Sequence, residues 1–140
     1  MEGSIERART GRLEGEEAFH EIFLAGDEGR FFFRTVSDPD PDSVSRVPIH
    51  PTAINLLMEA ARRNDELVSF REALPDPEKA YVTQTHELEW EDERTEKLAR
   101  KVFDLLQTPK KLGRVARRIP ASTFAVYEVA AKLYATEQIR

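Results

Sequence analysis

The chain has 140 residues, of which 40% are apolar and 34% charged, with a formal net charge of -5 and no cysteine. That length suits one ordinary domain or two very small ones, and the recurring blocks of Phe, Leu, Ile and Val exclude disorder throughout. The absence of cysteine excludes disulfides, thiolate metal sites and Cys nucleophiles, and fits a reducing compartment.

The opening Met1-Glu2-Gly3-Ser4-Ile5-Glu6-Arg7 has neither a basic leader nor an apolar h-region. No stretch approaches the ~18 continuous apolar residues of a membrane span, so the expected location is the cytoplasm, with no membrane partner. Charge is uneven. Residues 1 to 92 hold 10 basic and 21 acidic side chains and residues 93 to 140 hold 11 and 5, giving about -11 and +6.

Glu14 to Leu24 places Ala18, Phe19, Ile22 and Phe23 on one helical face, with Glu16 and Glu17 in the first turn, where they favour the helix dipole. Arg30 to Val36, with Phe31, Phe32 and Phe33, reads as a strand covered on both faces. The loop from Ser37 to Ser43 alternates Asp38, Asp40 and Asp42 with Pro39 and Pro41; it has no Gly for the sharp turn and no closing Glu, so it does not fit a calcium loop.

Pro51 is expected as the first residue of the longest early helix, with Ile54, Leu57, Met58 and Ala61 at helical spacing and Glu59, Arg62, Arg63, Asp65 and Glu66 on its outer face. Glu59 with Arg63, and Arg62 with Glu66, have i, i+4 spacing for ion pairs. Leu74 to Asp92 has Pro75, Pro77 and four acidic residues near Trp90, and is expected as a linker.

From Glu93 onward the pattern is helical. Leu98, Val102, Phe103, Leu105 and Leu106 line a first helix that the Thr108-Pro109 step ends. Leu112, Val115, Ala116 and Ile119 line a short second helix. Ser122 can cap a third, which carries Phe124, Val126, Tyr127, Ala130, Leu133 and Tyr134. Three helices with a tight turn between the last two resemble a helix-turn-helix.

A DNA-reading helix needs Arg, Lys, Asn or Gln near its N-terminus. The third helix has Phe124 and Val126 there, while the positive charge lies on Lys110, Lys111, Arg114, Arg117 and Arg118. Nucleic acid is therefore the lesser expectation. His20, His50 and His86 fall in separate elements with no metal-ligand spacing, and no phosphate loop, carboxylate dyad or supported Ser nucleophile is present. No enzyme activity, cofactor or metal is expected.

Gly3-Ser4-Ile5 with Ala8, Gly15-Glu16-Glu17-Ala18-Phe19, Gly29-Arg30-Phe31-Phe32-Phe33, and Leu56-Leu57-Met58-Glu59-Ala60 with Arg62-Arg63 and Asp65-Glu66 resemble the later part of the PATAN domain, the DUF4388 family, over about residues 3 to 67. The resemblance implies a bacterial α/β signalling module that binds other proteins without catalysis, often followed by a winged-helix domain, to which residues 93 to 140 are similar. Family members usually have further strands before the position matching Gly3. Without them the strand from Arg30 to Val36 has an edge to cover, so a homodimer is expected.

The expected architecture is α+β: a partial PATAN-like module over residues 1 to 73, a linker over 74 to 92, and a three-helix, helix-turn-helix-like tail over 93 to 140. The expected function is a non-enzymatic adaptor in bacterial signal transduction, with a DNA-binding regulator as the alternative. Arg62, Arg63 and Glu66 on the long helix, and Arg114, Arg117 and Arg118 on the tail, are the expected partner-binding residues.

Overall fold

The computed structural model describes residues 4–24, 30, 35 and 47–140. The expected strand from Arg30 to Val36, apart from Arg30 and Thr35, and the Asp-Pro loop lie outside these. The class is α+β, with five helices and a small antiparallel sheet among the described residues. The chain forms two compact units, Met1–Arg62 and Arg63–Arg140.

In the first unit a tight turn feeds helix α1, Gly15–Leu24. The Thr10 hydroxyl accepts from the Leu13 N–H at 3.0 Å, Thr10 N–H donates to Leu13 O at 2.8 Å, and Gly15 N–H donates to Ala8 O at 2.9 Å. Gly15 has φ +70°, a conformation that favours glycine, and a Cβ there would lie 2.7 Å from Val47 Cγ1. The guanidinium of Arg12 closes on Glu21 at 2.8 Å.

The buried side of α1 matches the expected face only in part. Ala18 and His20 are buried, whereas Ile22 and Phe23 are exposed. Helix α2, Ala53–Glu72, starts two residues beyond Pro51, and its first N–H groups meet Thr52, whose hydroxyl accepts from Asn55 N–H at 3.3 Å. Here too the apolar side differs from the expectation: Leu56, Ala60 and Leu67 are buried, while Ile54, Leu57, Met58 and Ala61 are exposed. The helix carries two apolar stripes about 100° apart, and spacing alone cannot say which one is covered.

The second unit contains the C-terminal turns of α2, then β1 (Ala80–Tyr81), α3 (Glu96–Leu105), β2 (Lys110–Lys111), α4 (Leu112–Arg118) and α5 (Thr123–Ala135). β1 pairs antiparallel with β2, Ala80 opposite Lys111 and Tyr81 opposite Lys110. Just beyond β1 the chain also pairs with its C-terminal residues. Val82 and Arg140 exchange N–H···O bonds of 3.0 Å, and Gln84 N–H donates to Gln138 O at 2.9 Å. Thr83 N–H points the other way, to Leu106 O at 2.8 Å. The alternation of a strand thus ties residues 80 to 84 to elements on both sides.

This corrects the expected organisation. Residues 74 to 92 include a strand of the sheet and so are part of the second unit, and the division between units falls inside α2 and not near residue 73. A run of charged residues and prolines concealed a strand whose partners lie 29 and more positions away.

The core of the second unit comes from one face of each element. Tyr81, Ala99, Val102, Leu106, Leu112, Val115, Val126, Val129, Ala130 and Leu133 are each 0% exposed. Ser122 caps α5 as expected, its hydroxyl accepting from Ala125 N–H at 3.2 Å. At the other end Glu137 N–H donates to Tyr134 O at 3.0 Å and Gln138 N–H to Leu133 O at 2.9 Å, a Schellman closure with Glu137 at φ 57° in the left-handed position. Glycine usually fills that place. Glu137→Gly is accordingly expected to raise the stability of this unit by about 0.5–1 kcal/mol, measured as an increase in the urea midpoint at unchanged m-value.

Candidate functional site

The spacing of Leu112, Val115, Ala116 and Ile119 buries one side of α4, all four being at most 4% exposed. Gly113, Arg114, Arg117 and Arg118 are therefore turned to solvent, and all four are exposed. Arg117 and Arg118 occupy the last turn, where cations favour the helix dipole. Among the described residues these three arginines meet no carboxylate. Other arginines do: Arg94 reaches Glu128 at 3.1 Å and Asp92 at 3.6 Å, and Arg100 reaches Glu96 at 3.4 Å. Lys110 is occupied as well, its Nζ donating to Leu105 O at 2.7 Å and to the Thr108 hydroxyl.

The i, i+3, i+4 spacing of Arg114, Arg117 and Arg118 brings the three arginines together on one side of α4, and Arg62, Arg63 and Glu66 have the same spacing on α2 but are engaged there. Arg62 makes a bidentate pair with Glu59, at 2.9 and 2.6 Å. Arg63 is half-buried, with its guanidinium carbon 5.3 Å from the centre of the Phe124 ring. Glu66 is half-buried one turn on.

The N-terminal part of α5, which a helix-turn-helix would present to DNA, is closed within the second unit. Phe70 lies 5.5 Å from Phe124 between ring centres, and the Arg71 guanidinium lies 5.0 Å from the Tyr127 ring centre. Phe124 and Tyr127 are 8% and 3% exposed. Glu128, the next residue, is acidic and bound to Arg94. Direct base reading needs exposed donors at such positions, and these are apolar, buried or negatively charged.

A shallow cleft of about 410 Å³ lies beside α5, lined by Glu89, Trp90, Asp92, Lys132, Thr136 and Gln138 among others. Its polar groups are engaged with one another. The Gln138 amide donates to Glu89 O at 2.9 Å and accepts from Glu89 N–H at 2.8 Å, copying a strand pairing with a side chain. Trp90 Nε1–H donates to the Thr95 hydroxyl at 3.1 Å, and that hydroxyl donates to Asp92 Oδ2 at 3.0 Å. The cleft is built by a turn that starts α3. Sequence reasoning missed this network, although the spacing of Asp92 and Thr95 is an Asx-type helix-entry signal.

The Thr95 hydroxyl above all, with the Arg94 backbone N–H and the cations of Arg94 and Lys132, holds the Asp92 carboxyl below its ordinary 3.8, against some desolvation. A depressed pKa means that the ionised form stabilises the fold; this contribution is complete above about pH 4 and is lost as pH falls through the lowered value. Asp92→Asn is expected to flatten the acid limb of a pH–stability curve below about pH 4 and to leave its neutral shape unchanged, as read by urea titrations at stepped pH.

His20 is buried, His50 and His86 are exposed, and the three lie in separate elements. Among the described residues no three His, Asp or Glu side chains gather where they could hold a metal ion. Nor is any helix among these residues long and apolar enough to cross a membrane. Comparison of the chain with protein-family models, with curated proteins and with solved structures gives no match.

Proposed function

We propose that the chain is a non-enzymatic protein–protein interaction module of bacterial signal transduction that docks an acidic partner on α4. The observation carrying this reading is the trio of exposed guanidiniums, Arg114, Arg117 and Arg118, on a helix anchored by its other face. Such a face can grip carboxylates bidentately without reshaping the fold. The resemblance of residues 3 to 67 to PATAN modules supplies the bacterial signalling context, and a cytoplasmic location goes with it. The rival reading, a DNA-binding regulator, gains phosphate contacts from the same arginines but has no base-reading side chains at the start of α5.

Two measurements on the full chain test the proposal. Capture of a protein from the native host lysate is expected to fall at least ~10-fold when Arg114, Arg117 and Arg118 are all replaced by Glu, with far-UV circular dichroism unchanged. Fluorescence anisotropy with mixed-sequence duplex DNA is expected to show weak binding that vanishes between about 50 and 200 mM salt without preference among sequences. Sequence discrimination of ~1000-fold would overturn the reading in favour of the regulator.

A further inference from the structure

Helix α2 carries an apolar stripe that is open among the described residues. Ile54, Leu57 and Met58 are 70%, 48% and 67% exposed, and Ala61 is exposed on the same side. The stripe is not a sign of a loosely held helix, because Leu56 and Ala60 on the adjacent face are each 1% exposed. Of the seven large apolar side chains exposed among the described residues, six belong to the first unit. An open apolar stripe of this kind marks a contact surface.

We propose that two copies of this chain pair antiparallel through the first turns of α2, with Ile54, Leu57, Met58 and Ala61 as the seam. The residue sizes select the arrangement. With a twofold axis between positions 57 and 58, Ile54 of one copy meets Ala61 of the other, large against small, and Leu57 meets Met58. A parallel pair would instead stack Ala61 on Ala61 and leave a gap there, and would set Asp65 against Asp65, one turn beyond the seam.

Charge points the same way. α2 has no acidic residue in its own first turn. In the antiparallel register Asp65 of each copy comes level with the N-terminal end of the other copy's α2, where a carboxylate is favoured by the helix dipole. The seam contains no Lys or Arg, and the neighbouring Arg62 is committed to Glu59; an anionic bilayer would select a basic rim. The contact does not depend on the α4 arginines. Two turns of helix fall short of a standard interface of about 800 Å² per partner, so a weak dimer follows, with Kd on the order of 10–100 µM.

Sedimentation equilibrium of the full chain across ~5 to ~500 µM is expected to show the average mass rising from monomer toward dimer. Met58→Glu and, separately, Leu57→Glu are expected to weaken the association at least ~10-fold with unchanged circular dichroism, since both positions are solvent-facing in the single chain. Ile54→Ser is a milder variant that keeps the test open if a glutamate perturbs folding. Orientation is tested separately, and the cysteine-free sequence makes labelling clean. With a short bismaleimide, a mixture of Ile54→Cys and Ala61→Cys chains is expected to cross-link more than either alone. A monomeric mass throughout, an association that these substitutions leave intact, or equal linking of Ile54→Cys to itself would each overturn the proposal.

Discussion

Replacing Tyr81 by alanine is expected to lower the stability of the second unit by about 3–5 kcal/mol, the range for removing a fully buried aromatic side chain. Tyr81 is 0% exposed, and its ring lies edge-on to Tyr134 with centres 6.2 Å apart. Its hydroxyl donates to Asp76 O at 2.7 Å and accepts from Asp76 N–H at 3.4 Å, so the side chain both fills the core and fastens the turn that leads into β1. Tyr81→Phe keeps the ring and loses only the hydroxyl, which predicts a smaller loss of about 1–2 kcal/mol. Trp90, the only tryptophan, lies in this same unit and provides the signal for urea unfolding. For a unit of this size the alanine change corresponds to a fall in melting temperature of roughly 12 °C or more. Burial also pushes the Tyr81 hydroxyl above its ordinary 10.0. The neutral phenol is therefore the stabilising form, and its contribution is complete below about pH 10 and lost as pH rises through the raised value.

The second large effect belongs to the first unit. Gly15→Ala is expected to cost about 2–4 kcal/mol, because two penalties fall on one atom. The backbone sits at φ +70°, where a side chain is disfavoured by about 1 kcal/mol, and the new Cβ would approach Val47 Cγ1 to 2.7 Å. These penalties can be separated. Val47 is 45% exposed and can be trimmed with little loss, so Gly15→Ala combined with Val47→Ala should recover most of the steric part, the contact with Val47 Cβ at 3.3 Å remaining, and retain the backbone part. Hydrogen exchange at Leu13, Gly15 and Ile49, whose N–H groups are all bonded within this unit, reads the effect locally. Equal protection in Gly15→Ala and in the unaltered chain would refute it.

Helices whose apolar residues follow a single stripe were legible in the sequence. α4 is the clearest, because Leu112, Val115, Ala116 and Ile119 leave only one side to bury, and Arg114, Arg117 and Arg118 then have only one direction to face. The Ser122 cap fixed the start of α5 in the same local way. α2 was only half legible. That a helix follows Pro51 was evident, but the choice between the stripe with Leu56 and the stripe with Leu57 is made by packing. The sheet was hidden for a different reason. β1 and β2 have two residues each, too short for alternation to register, and their pairing joins distant parts of the chain. The placement of Arg63 over Phe124 was likewise beyond local reading, since charge near a helix surface predicts solvent and a tertiary ring contact is needed to redirect it. The closed end of Gly15–Leu24, with His20 inside and Phe23 outside, shows the same limit on a shorter element.

The pairing of Val82 with Arg140 has a consequence for synthesis on the ribosome. Helices α3, α4 and α5 contain their own hydrogen bonds and can form as they emerge, but the ladder at Val82 has no counterpart until residue 140 has emerged as well. The nascent chain therefore waits with Val82 and Gln84 unpaired on that side until residues 138 to 140 have followed α5 out.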